Sequence, residues 1–302
     1  MKQERDFANE WRNFVTSSPD TPIVSIKKGI LYVVATPIGN LQDFSPRAQA
    51  ILHQVTLIAA EDTRHSRHLL THFNITTPLQ SLHEHNERQQ SRALLRRLHD
   101  GESIALISDA GTPLISDPGR YLIQMAHAEQ IIVMPIPGPS ALTAALSVAG
   151  LDANRFVFEG FLPAKTVARQ QRLEDLSLES RTLVFYEAPH RIIDCLNDMV
   201  QIFGEMREAA LVKELTKVFE TVYRDTLSHI LNQLNVQAIR QKGEFVIVVQ
   251  GAPEPDSHAL NPETERIFQL LHKALPLKLA AKLTHEITGV SKNKLYALGL
   301  NQ

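Results

Sequence analysis

The sequence has one cysteine, Cys195, in 302 residues. That excludes an intrachain disulfide and a multi-thiolate zinc site, and it fits a reducing compartment. The first 29 residues lack the apolar stretch of a signal peptide, because Lys2, Arg5, Asp6, Glu10, Arg12 and Asp20 interrupt them. No segment approaches the roughly 20 uninterrupted apolar residues of a membrane span, so a cytosolic location is expected. An excess of one charge is missing too: 31 Lys and Arg stand against 33 Asp and Glu, a net charge of -2. That argues against a general basic coat for nucleic acid and leaves local patches as candidates for phosphate contacts. There is neither a G-x-G-x-x-G nor a Walker motif, so the usual dinucleotide and nucleoside-triphosphate fingerprints are absent.

What is present is ordinary globular composition, 43% hydrophobic and 21% charged. The length exceeds one average domain of roughly 100 to 200 residues. From Leu31 onward, short apolar runs alternate with amphipathic stretches. Leu31 to Ala35, Thr56 to Ala60, Ile104 to Ile107 and Ile131 to Ile136 read as strands buried on both faces, being nearly continuous in apolar residues. Helices are expected between them, one with Ser45 as N-cap and Pro46 at its first position, another from Asn86 to His99 with Gly101 just beyond. This is the pattern of a doubly wound parallel sheet. After Gly150 the apolar runs Phe156 to Phe161, Thr182 to Tyr186, Ala209 to Val212 and Phe245 to Val249 suggest a mixed sheet, with helices over Val167 to Leu176 and Ile192 to Phe203. The expected fold class is α/β: an extension over 1–29, an α/β domain over 30–150, a second over 151–252, and a linker with a helical tail over 253–302.

The linker, Ala252 to Pro262, carries three prolines. In the tail, Leu277 to Ile287 and Ser291 to Leu298 read as two short helices around a turn at Thr288 and Gly289. From Thr264 on, six basic residues (Arg266, Lys273, Lys278, Lys282, Lys292, Lys294) face two Glu. Two readings stand side by side: a helix-turn-helix that grips RNA through residues such as Lys282 and Lys292, or a packed hairpin with solvated lysines.

Three Pro- and Gly-rich loops follow expected strands directly: Ala35-Thr-Pro-Ile-Gly-Asn40, Ser108-Asp-Ala-Gly-Thr-Pro-Leu-Ile-Ser-Asp-Pro-Gly119 and Pro135-Ile-Pro-Gly-Pro-Ser140. In a parallel sheet they converge at one edge, where ligands bind. Proline has no backbone N–H, so such loops are poor anion cradles, but they still offer carbonyl oxygens. Carbonyls and a carboxylate such as Asp109 suit a sulfonium, an ammonium and an adenine amino group better than phosphates. The expected ligand is S-adenosylmethionine.

These loops, together with Ala60-Glu-Asp-Thr-Arg64, Tyr186-Glu-Ala-Pro-His-Arg191, Lys213-Glu-Leu-Thr-Lys217 and Gly243-Glu-Phe245, resemble the tetrapyrrole-methylase-like family over roughly Gly29 to Gly251. Within it they are similar to the branch of cytidine 2′-O-methyltransferases acting on small-subunit ribosomal RNA. The resemblance implies two α/β domains with the methyl donor between them, usually in a homodimer, and the ribose of a decoding-region cytidine in 16S rRNA as acceptor. It implies donor contacts at Pro37 and Gly39, at Asp109 and Pro113, at Ser140 and Ala141, and from the second domain near Tyr186, Glu187 and Val212. The tetrapyrrole branch has Gly-Asp-Pro where this chain has Ser108-Asp109-Ala110, which argues against a porphyrin-type acceptor.

A ribose hydroxyl is a weak nucleophile that must be aligned with the methyl group and lose its proton. Glu61, Asp62, His83, Glu84 and His85 are available near strand ends; His85 or Glu214 is a candidate base, and Lys213 a candidate to lower the hydroxyl's pKa. His83 and His85 flank Glu84 without a third ligand in sequence reach, so no metal is implied. Arg64, Arg67 and His68 with Arg88, Arg92, Arg96 and Arg97 form either a phosphate-contacting surface or solvated helix faces. Arg191 is either a cleft residue reaching RNA or half of a surface ion pair behind Pro189. Rival functions are methylation of a small molecule or protein side chain, and a non-catalytic ribosome assembly factor that binds RNA.

Overall fold

A computed structural model of the chain describes residues 28–253 and 262–300. Residues 1–27 of the extension expected over 1–29, and most of the expected linker, lie outside the described residues. The first sheet is built from β1 (Ile30–Val34), β2 (Leu57–Ala60), β3 (Leu79–Ser81), β4 (Ile104–Ile107) and β5 (Ile132–Ile136). Its order is β3-β2-β4-β1-β5 and all four pairings are parallel. The apolar residues of the central strands divide by parity. Ile30, Tyr32 and Val34 pack with Ile58 and Ala60 under α1 (Pro46–Gln54) and α2 (Thr63–His72). Leu31, Leu57, Ala59 and Leu106 pack under α3 (Glu87–His99) and α4 (Arg120–Ala128). Helices on both faces explain why β1, β2 and β4 are apolar throughout.

Helix α1 starts as its cap chemistry dictates: Pro46 follows Ser45, whose Oγ accepts from the Ala48 N–H at 3.1 Å. Strand β5 departs from the expected double-sided burial. It is the sheet edge, with Ile132 58% exposed, and only an edge strand tolerates Pro135, which has no N–H to give a second neighbour.

The second sheet holds β6 (Phe156–Phe161), β7 (Thr182–Glu187), β8 (Glu208–Lys213), β9 (Thr221–Thr226) and β10 (Phe245–Val249), in the order β6-β7-β10-β8-β9. It is mixed, β6 and β7 being parallel and the other pairs antiparallel. On one face Leu183, Phe185, Leu211, Phe245 and Ile247 pack against α6 (Thr166–Leu176), α7 (Ile192–Phe203) and α8 (Leu227–Asn235). On the other, Val184, Val212, Val246 and Val248 meet Ala145 of α5 (Ala141–Val148), its C-cap Ala149, and Ile38 from the loop after β1. Helices α6 and α7 are also joined by a buried ion pair, Arg169 Nε to Asp198 Oδ2 at 2.6 Å, whose other oxygen accepts from Gln170 Nε2 at 2.8 Å.

Both sheets belong to one compact unit, and a second unit holds the three C-terminal helices α9 (Pro262–Ala274), α10 (Leu277–Thr288) and α11 (Lys292–Leu300). In it Phe268, Ala280, Ala281, Val290 and Leu295 form a small core. Gly289 ends α10 in a left-handed conformation (φ 74°), and His285 Nδ1 bonds the Val290 carbonyl at 2.8 Å to fix the turn. No helix among the described residues is long and apolar enough to cross a membrane.

Candidate functional site

Because every strand of the first sheet runs the same way, the loops after β1, β4 and β5 leave from one rim. Thr36 and Gly111 exchange backbone hydrogen bonds at 2.9 and 3.1 Å, joining the first two loops. The Thr112 hydroxyl donates to the Pro139 carbonyl at 3.0 Å, joining the second to the third. A Cβ on Gly138 would lie 2.9 Å from the Ala35 Cβ, so this approach requires glycine. The long loop after β4 is held curled, with Leu114 (φ 76°) and Ser116 (φ 74°) in the left-handed region that side chains disfavour.

These loops and the inner face of the second sheet enclose a cavity of about 410 Å³. Asp109, Thr112, Ser116, Asp117, Ser140 and Ala141 line it from the first half. Phe161, Tyr186, Glu187, Glu244 and Val246 line it from the second. Its walls are largely apolar, lined by Ile38 and Ile115 and by the rings of Phe161 and Tyr186, which meet edge to face at 5.7 Å. Burial pushes the Tyr186 phenol up to about 12, and its hydroxyl bonds the Leu142 backbone.

Carboxylates crowd one side. Burial, reinforced by Asp117 and Asp109, raises Glu61 to about 7. Burial and the Asp109 charge raise Asp117 to about 6. Asp109 Oδ1 accepts the Asp62 N–H at 3.1 Å, which ties the loop after β4 to the end of β2. Like charges brought together and partly desolvated each resist ionisation, and a cation placed among them relieves that resistance.

Of the residues singled out from the sequence, Asp109, Ser140, Ala141, Tyr186 and Glu187 share this cavity. Pro37 and Gly39 line an adjoining recess that also touches Asp109. Pro113 is buried within its loop. Val212 is fully buried beside Val246, its cross-strand partner. Lys213 points to the helix-covered face, its Nζ 5.9 Å from the centre of the Phe245 ring. Glu214 (φ 53°) braces the loop after β8: its Oε1 accepts from the Glu244 N–H at 3.0 Å and from Lys217 Nζ at 3.1 Å. Burial works to raise its pKa, but those donors outweigh burial and hold the carboxyl below its ordinary value.

His85 sits in a different depression with Glu84, Arg88, Arg120 and Tyr121. There Arg88 stacks over the Tyr121 ring, while Glu87 Oε1 accepts the Gly119 and Tyr121 N–H groups at the start of α4. Arg191 is turned inward, 3.2 Å from Glu187 Oε1 and donating to the Leu162 carbonyl at 2.6 Å. Arg64 and Arg67 project from α2 into a shallow surface hollow, Arg64 paired with Asp62 at 3.2 Å. Arg92 is exposed on α3, Lys292 is exposed on α11, and Lys282 pairs with Glu286 at 3.8 Å on α10. Among the described residues no group of three or more His, Cys, Asp and Glu is arranged to hold a metal.

Sequence reasoning passed over Asp117, Ser116, Phe161 and Glu244 as site residues. Asp117-Pro-Gly119 and Gly243-Glu-Phe245 were visible as turn signals. Phe161 was not, because a bulge between Phe158 and Gly160 decides which way it points.

Residues 30–231 match the family described as Tetrapyrrole (Corrin/Porphyrin) Methylases, and residues 258–302 match the RsmI C-terminal HTH domain. A Ribosomal RNA small subunit methyltransferase I from Xylella fastidiosa is 57% identical over 89% of this chain and 98% of its own length. One of the same name from Pseudomonas aeruginosa is 52% identical over 91% of this chain and 98% of its own. In fold, the uroporphyrin-III C-methyltransferase of Thermus thermophilus, solved with S-adenyl homocysteine, superposes with a TM-score of 0.51 at 15% identity, covering 73% of this chain and 96% of that one. This chain belongs to the tetrapyrrole methylase family, within the branch of the ribosomal RNA small subunit methyltransferases I.

Proposed function

We propose that this protein transfers the methyl group of S-adenosylmethionine to the ribose 2′ oxygen of a decoding-region cytidine in 16S rRNA. The observation that carries the reading is the cavity itself: apolar walls and a rim of partly buried carboxylates, Asp109, Asp117 and the neighbouring Glu61. Apolar walls suit the adenosyl portion, while the carboxylates favour the sulfonium and ammonium charges. When bound, the donor supplies an electrophilic methyl group. The chain's share is to hold it by Asp109, Ser140, Ala141 and Tyr186, to exclude water with Ile38, Ile115 and Val246, and to present the acceptor oxygen in line.

The relatives are named as methyltransferases of small-subunit ribosomal RNA, which supports RNA over a small-molecule or protein acceptor. A pure assembly factor has no use for such a cavity. Exposed Arg64, Arg67 and Arg92 are the candidate phosphate contacts on the two-sheet unit, and Lys282 and Lys292 those on the helix-turn-helix unit. The resemblance further supports a homodimer, and a single nucleotide presented by folded RNA supports the assembled subunit as substrate; sedimentation with and without subunits tests both.

The deciding experiment incubates the pure protein with radiolabelled S-adenosylmethionine and small ribosomal subunits from a strain lacking the gene, then maps ribose methylation by mass spectrometry. Label on one cytidine ribose is the expected result. Donor binding without label on 16S rRNA sinks the acceptor reading.

A further inference from the structure

Beside the donor cavity, and sharing Asp109 with it, lies a second cavity of about 310 Å³. Pro37, Gly39 and Leu41 from the loop after β1 form one side. The other is a single face of α2, which presents His65, His68 and His72. Spacings of three and four residues place the rings in one stripe. All three residues are exposed, while α2 anchors itself through Ser66 and Leu70. None of the three rings makes a hydrogen bond or ion pair among the described residues. His72 meets the Phe73 ring edge to face at 4.9 Å, but among the described residues packing gives no such reason for His65 and His68. The surface continues outward: His68 and His72 also border a hollow lined by Arg64 and Arg67.

Order along the helix supplies direction. Asp62, the N-cap of α2, donates its N–H to Asp109, so His65 in the first turn is the imidazole nearest the donor cavity. His72 stands about 10 Å further along the axis, at 1.5 Å per residue. Building on the proposed ribose methylation, we infer that this recess is the acceptor-nucleoside subsite, in which His65 takes the proton of the reacting hydroxyl.

A cytidine swung out of its RNA lays its base on Pro37 and Leu41 against the imidazole stripe, as single-stranded and flipped bases settle on flat or apolar side chains. Arg64 and Arg67 hold the flanking phosphates. In the step, the 2′ oxygen forms a bond to the methyl carbon, and the carbon–sulfur bond breaks with its electron pair left on sulfur. The hydroxyl proton passes to the His65 ring and from there to solvent. The products are the 2′-O-methyl nucleotide, S-adenosylhomocysteine and one proton.

The test uses the full chain, with His65→Gln to remove the proton acceptor and Leu41→Trp to fill the recess. Donor affinity is read by calorimetry, and kcat and KM are read with subunits lacking the modification. His65→Gln is expected to lower kcat by at least about 100-fold, the lower range for a lost general base, with the donor Kd within about two-fold. Leu41→Trp is expected to abolish transfer with donor binding equally intact. Both variants transferring within two-fold of the parent overturns the inference, and so does donor affinity falling in step with transfer, which would assign the recess to the donor. If the parent protein binds donor yet leaves the subunits unlabelled, the RNA reading has failed first and the subsite falls with it.

Discussion

The two sheets contribute differently to one cavity. The first is wholly parallel, so its strand ends gather loops on one rim, and those loops bring the polar groups: Asp109, Asp117 and Ser140. The second is mixed and contributes chiefly a strand face, Tyr186 and Val246, with Val212 buried beside Val246. A parallel sheet delivers chemistry at its edge, and a mixed sheet backed by helices delivers a rigid wall. The same division appears in the electrostatics, since the raised carboxyls Glu61 and Asp117 both follow strands of the first sheet.

The sharpest way to break this comparison is to weaken the wall without touching the rim. Arg169→Ala leaves Asp198 buried and unpaired, which costs about 3–5 kcal/mol of unfolding free energy in denaturant titrations. Donor affinity of the molecules that remain folded is expected to stay unchanged; a matching loss would show that the wall does more than support.

Asp109→Asn is the converse change, expected to weaken donor binding by roughly 10- to 100-fold with little effect on stability, the range for losing a charged hydrogen-bonding partner. Calorimetry against S-adenosylmethionine decides it. An unaffected Kd would move the rim's role to Asp117 alone.

A smaller effect is the pH dependence of the rim. Glu61 and Asp117, raised to about 7 and about 6, keep protons in the folded, donor-free protein that they would release on unfolding. Their contribution to stability is therefore fully present below about pH 4 and is lost progressively as the pH rises from there through the raised values of about 6 and about 7. A cationic donor favours the ionised carboxylates, so its affinity should strengthen several-fold between about pH 5.5 and 8, with proton release on binding. Glu61→Gln should flatten the upper part of that profile.

The smallest change expected lies in the separate helical unit. Lys292→Ala should leave donor binding untouched and lower the slope of subunit affinity against salt by about one, as for a single lost phosphate contact. An unchanged slope returns this lysine to the solvated-hairpin reading.

Much of the rim was readable beforehand, because Pro and Gly after an apolar run announce where a parallel strand must turn. The loop carrying Asp109 was located that way, whereas Ser140 and Ala141 were singled out only through the family resemblance. The wall was harder to read. Strands β7, β8 and β10 are apolar on both faces, so their composition hides which parity faces the cavity. Lys213 accordingly lies toward Phe245 on the helical side, while its neighbour Val212 faces the other way. Strand β9, Thr-Val-Tyr-Arg-Asp-Thr, went unread because an edge strand with exposed Arg224 and Asp225 carries too little apolar signal to stand out. Arg191 shows the same limit at one side chain: only the fold reveals that the Leu162 carbonyl is within its reach.

The backward-curled loop after β4 has a bearing on attempts to make this enzyme tolerate heat. Leu114 and Ser116 hold a conformation that costs an ordinary residue about 1–2 kcal/mol and a glycine almost nothing. Ser116→Gly is therefore an attractive change to anyone ranking substitutions by stability alone. The same freedom would let Asp117 wander from its neighbours, so the relief would be repaid in turnover, and screens for thermal resilience at this loop should score methylation alongside melting temperature.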